Sequence, residues 1–220
     1  KEDHIKKVKA LDEKSFAFLK DKFGFFPPIT DVVQFNLYAP NGGGISGMYG
    51  FSITNNSSKL IEGEYVKNLQ IGNTHEFTHL FFANTPVDHG WFGEGLADFM
   101  ANYEMNGVPK PPELICNETG WQDGSSPFVE YSNFNVMPEG NVDFYSQLNK
   151  SSYYRSAQCF WIYIHEYYGD NGIKDVAQKW DNTRNQLPPI KQYKLIQEIV
   201  NPALKTDLSN LVYERYSYTE

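Results

Sequence analysis

The strongest constraint on this fold is a pair of helix-period segments with one short break between them. Leu69, Phe77, Leu80 and Phe81 line an apolar stripe on a helix predicted over about residues 66–83. Gly90 interrupts the pattern, and Trp91 to Asn106 reads as a second helix. A connection that short turns the second helix back to pack beside the first. A similar stripe (Ile5, Val8, Leu11, Phe16, Leu19, Phe23) predicts a helix over 1–23. More helices are predicted over about 152–168, 171–181, 190–200 and 204–215. Val32 to Tyr38 and Met48 to Thr54 read as strands, Leu60 to Tyr65 as a third, and Pro40-Asn41-Gly42-Gly43-Gly44 as a turn or mobile loop.

The chain of 220 residues is long enough for one core of useful size. Its balance of 19 basic to 27 acidic residues gives a net charge of −8, which argues against nucleic acid as a partner. With 40% hydrophobic and 16% aromatic residues it is too apolar to be disordered. No apolar run reaches the ~20 residues of a transmembrane segment. Cys116 and Cys159 leave one bridge and two buried thiols both open.

The chemistry centres on His75-Glu76-Phe77-Thr78-His79. Residues i and i+4 of a helix lie on one face, so the two imidazoles can converge on one ion. Glu76 sits beside the first histidine, where it can take a proton from an attacking water and return it to a leaving group. A catalytic zinc needs a third protein ligand and an open position. Glu94 opens the next helix, 15 residues after His79, in the run Trp91-Phe92-Gly93-Glu94-Gly95-Leu96-Ala97-Asp98-Phe99. Packed beside the first helix, it would face the two histidines. Gly95 and Ala97 are small enough to let the two helices approach closely. Asp98, on the face of Glu94, can accept a hydrogen bond from the other ring nitrogen of a histidine, His75 for preference.

The HEFTH and WFGEGLADF segments resemble the gluzincin metallopeptidases, the thermolysin-like and aminopeptidase-N-like superfamily. That resemblance implies one Zn²⁺ held by His75, His79 and Glu94, with Glu76 as general base and Asp98 behind a ligand; the gap from His79 to Glu94 is shorter than in the large aminopeptidases, which leaves Asp98 as the alternative third ligand. The segment Tyr153-Tyr154-Arg155-Ser156-Ala157 is similar to one whose tyrosine points at the metal in aminopeptidase-like members. The match implies Tyr153 as oxyanion donor; Tyr154 and His89 are the alternatives. The implied fold is α+β and zincin-like: a small mixed β-sheet lobe over the HExxH helix, followed by a mainly helical lobe. Residues 1–220 then form a single catalytic domain. Its parts are a mixed lobe over about 1–66, metal-binding helices over 67–106, a long loop region over 107–145 and a helical lobe over 146–220. The segment Ser46 to Thr54 is the candidate edge strand for substrate. Gly47-Met48-Tyr49-Gly50 lacks the glutamate that holds the substrate amine in the large aminopeptidases, so their specificity does not carry over.

The expected function is a zinc-dependent peptidase acting on a peptide or protein substrate. The alternatives are a catalytically silent or latent binding module of the same fold, and a zinc hydrolase of a non-peptide amide. Digestive and envelope peptidases are common in the superfamily and the chain begins without Met, which favours a secreted or cell-envelope location.

Overall fold

The computed structural model of the chain describes residues 2–28, 33–36, 38–47, 50–56, 62–83, 91–107, 109, 116, 150–184 and 196–208. Its helices are α1 (Glu2–Phe23), α2 (Glu62–Phe81), α3 (Trp91–Asn106), α4 (Lys150–Asp181) and the short α5 (Asn201–Leu204), which follows a π-helical turn at Ile196–Val200. The packed body, the part whose side-chain burial is described, is 82% helical and contains no strand or sheet. This overturns the expected α+β class with its sheet lobe. Among the residues whose burial is described, most of the buried side chains belong to the helices.

The cause is the supply of large apolar groups. Leu19 and Phe23 of α1, Phe77, Leu80 and Phe81 of α2, and Phe92, Leu96, Phe99 and Met100 of α3 are buried. Phe160, Trp161, Ile164 and Trp180 of α4 complete one cluster. Burying each is worth roughly 1.5–3 kcal/mol before opposing entropy. Aromatic contacts run through the cluster: Phe23 lies 5.3 Å from Phe81 and 5.2 Å from Phe82, and Phe82 stacks on Trp180 at 4.0 Å. Phe92 lies 4.7 Å from Trp161, whose indole N–H donates to the Phe92 carbonyl at 3.0 Å. Among the described residues, the helix stripes thus fill one another.

Beside α2 the backbone of β1 (Val33–Asn36), β2 (Tyr38–Gly47) and β3 (Gly50–Asn56) pairs as a three-stranded ribbon in the order β1-β3-β2. Its stretch Tyr38-Ala39-Pro40-Asn41-Gly42-Gly43-Gly44 offers little apolar surface. The expected turn at Pro40–Gly44 lies inside β2. Residues 51–54 of β3 pair with β1 on one side and with β2 on the other. Most of the segment expected as a free edge, Ser46 to Thr54, is therefore central. The third strand expected over 60–65 is not formed, since α2 begins at Glu62. The acidic Glu62 and Glu64 suit the positive end of a helix.

The bounds of α3 match the reading from sequence. The helices expected over 152–168 and 171–181 form one element broken at Gly169, whose φ of 64° suits glycine. Of the expected C-terminal helices, the described residues give a π-helical turn at 196–200 and α5, which ends at Lys205 in the left-handed region; residues 190–195 and 209–215 lie outside the described residues. Cys116 and Cys159 are joined, tying a residue between α3 and α4 to a fully buried position on α4. The rest of the expected loop region, apart from residues 107 and 109, lies outside the described residues. Among the described residues no helix is long and apolar enough to cross a membrane.

Candidate metal centre

Helices α2 and α3 pack side by side. The last two turns of α2 carry His75, Glu76 and His79, and the first turn of α3 carries Glu94. His75 Nε2 lies 3.2 Å from Glu94 Oε2, His79 Nε2 lies 3.4 Å from the same oxygen, and the two nitrogens are 3.2 Å apart. His75, His79 and Glu94 form a group that could hold a metal ion. Ligands at about 2.0–2.1 Å in a tetrahedron stand ~3.3 Å from one another. The three separations match that edge.

The donor chemistry fits as well. Asp98 Oδ1 stands 2.8 Å from His75 Nδ1 and accepts its hydrogen, so the neutral ring presents a lone pair at Nε2. Glu94 Oε2 is buried and accepts no hydrogen bond, although two ring nitrogens stand beside it. Lone pairs crowded at these distances repel unless positive charge lies among them. The protonation of the metal-free group has the same cause. Burial works against charge on His75, but its contacts with Asp98 and Glu94 outweigh that and hold its pKa up to about 10. Burial works against charge on Glu94 too, yet the two histidines hold its carboxyl well below the usual carboxylate range. A proton can supply the charge that a cation would.

Gly95 faces Ala157 of α4. A Cβ there would lie 2.5 Å from the backbone carbon and Cβ of Ala157. The small residue admits α4. It sets how closely α3, with Glu94 next to Gly95, can seat against α4.

The remaining expected residues fall as follows. Glu76 is 8% exposed, adjacent to His75 and outside the ligand triangle. Tyr153 and its alternative Tyr154 sit in the first turns of α4, where only the backbone is described. His89 lies outside the described residues.

Two supports were missed in the sequence. Against the far side of α2, Asn73 donates to Asp12 of α1. Thr74 Oγ1 lies 2.9 Å from Ser15 Oγ and bonds Glu104 of α3, which also accepts from Gln70 at 2.9 Å. At the end of α2, Arg184 reaches the carbonyls of Phe81 and Ala83. The signal for the first was polar residues set among the apolar stripes of α1 and α2; Arg184, a hundred residues away, left none. Compared with protein-family models, curated proteins and solved structures, the chain finds no match.

Proposed function

We propose that the chain is a zinc-dependent hydrolase of the gluzincin type, cleaving peptide bonds. The observation that carries this reading is the convergence of His75 Nε2, His79 Nε2 and Glu94 Oε2 within 3.2–3.4 Å of one another. These three residues hold the ion. A bound zinc supplies Lewis acidity, polarising a carbonyl and bringing the pKa of water to about 7.

The other steps belong to the chain's own groups. Asp98 holds the Nδ1 hydrogen of His75 and so keeps its Nε2 turned to the site. Glu76 takes a proton from the attacking water and carries it to the leaving amine. The phenol of Tyr153 donates to the oxyanion that develops on the scissile carbonyl. The Cys116–Cys159 bridge supports work in an oxidising compartment.

The test pairs elemental analysis with a peptide-library digest of wild type and Glu76→Gln. We expect about one zinc per chain in both. Hydrolysis should fall by about 10²–10⁴ in the variant, the usual contribution of a general base. Full activity in the variant overturns the role of Glu76. Zinc uptake without turnover on any peptide favours a silent binding module or a hydrolase of another amide.

A further inference from the structure

We infer that Arg184 is a positioning residue for the ligand His79, holding the last turn of α2 from outside the helix. The inference rests on the metal centre proposed above. The last four carbonyls of any helix lack partners within it. In α2 that turn tightens: Phe82 N–H donates to the His79 carbonyl at 3.1 Å and Ala83 N–H to that of Leu80 at 3.2 Å. Phe82-Ala83 offers no glycine for a left-handed cap. Arg184 supplies a donor for the last of the four carbonyls, Nη2 to that of Phe81 at 2.7 Å, and Nη1 holds the carbonyl of Ala83 just past the helix end. One planar guanidinium thus grips two neighbouring carbonyls, which an ammonium cannot do with the same geometry.

The grip is itself held. Asp181 accepts from Arg184 Nε at 3.0 Å and pairs with Nη2. The Arg184 side chain is only 16% exposed. Its backbone N–H closes the turn onto the Asp181 carbonyl at 2.9 Å. One residue before Asp181, Trp180 stacks on Phe82 with the rings 18° apart. The end of α4 therefore latches the end of α2 by charge and by ring. His75 has its own orienting partner in Asp98, and Glu94 stands on α3. Of the three ligands, His79 alone belongs to the turn that Arg184 grips. Partners that hold a ligand in place typically carry ~10–100-fold in metal affinity.

The test uses the full chain as wild type, Arg184→Lys, Arg184→Gln, Asp181→Asn and His79→Ala. Zinc affinity is read by competition with a chromophoric chelator. Amide hydrogen exchange is read residue by residue on the metal-free protein. Arg184→Gln should weaken zinc about tenfold or more, Arg184→Lys and Asp181→Asn less. Protection should fall at Phe82 and Ala83 and hold at Leu96 and Ile164. Unchanged zinc affinity with faster exchange at Phe82 and Ala83 overturns the inference while leaving the metal centre standing. Protection lost equally along every helix also overturns it, leaving a general stabiliser. If Arg184→Gln does not fold, the milder Arg184→Lys and Asp181→Asn carry the same comparison. Wild type that binds no zinc in a His79-dependent way overturns the centre itself, and the inference with it.

Discussion

Asp98 Oδ1 and His75 Nδ1 stand 2.8 Å apart, on the side of the ring away from the ligand triangle. The bond fixes the tautomer that leaves Nε2 free to ligate. Replacing Asp98 with Ala should weaken zinc binding by ~10–100-fold, and Asp98→Asn by less, since its amide oxygen still accepts. Chelator competition on the two variants checks this; equal affinities for wild type and Asp98→Ala would show that the ring is held some other way.

At Gly95, α3 and α4 pack too closely to admit a Cβ. The Cβ in Gly95→Ala would meet backbone atoms of Ala157, which cannot swing aside as a side-chain tip can. The variant should lose roughly 1–3 kcal/mol by overpacking. It should also bind zinc more weakly, because any shift of α3 carries Glu94 with it. Urea denaturation and zinc titration on one sample read both effects.

Asp12 gives a pH dependence that does not involve the ligands. Burial first, and then the neighbouring charge of Glu13, push its pKa up to about 7. The folded state therefore holds the proton more tightly than the unfolded chain, whose value is near 3.8. Stability is fully present below that lower value and falls as pH rises towards 7. Asp12→Asn should remove the slope and leave the protein more stable than wild type at pH 8. Its amide can also donate to the buried Asn73 Oδ1, which accepts no hydrogen bond. Melting temperatures from pH 4 to 8 decide the matter: a wild-type-to-variant difference that does not change with pH rejects it.

The disulfide joins residues 43 apart. By loop-closure entropy that is worth about 4 kcal/mol, within the ~2–5 kcal/mol usual when a native bridge is lost. Cys116→Ser should lower the free energy of unfolding by that order, and a reductant should do the same to wild type. Denaturation with and without reductant measures it.

Much of the candidate site was readable because its rules are local. The i, i+4 histidines and the following helix with Glu94 follow from periodicity and ligand chemistry, and the bounds of α3 fell where Gly90 and Trp91 put them. Contacts made across long separations were not readable. Nothing near Gly95 says that its neighbour is Ala157, and nothing near Phe82 points to Trp180 and Arg184. The two cysteines carried no information about pairing. The sheet lobe failed for a related reason. Alternating residues near 32–38 and 48–54 signal extended backbone, but only the whole set of stripes shows that the helices supply the core.

The covalent link between Cys116 and Cys159 makes a closed ring of everything from one to the other, including Tyr153 and the start of α4. A chain cut once inside that ring, by any protease, would stay a single molecule. The two fragments would part only on a reducing gel, and a nicked preparation would pass as intact on a non-reducing one.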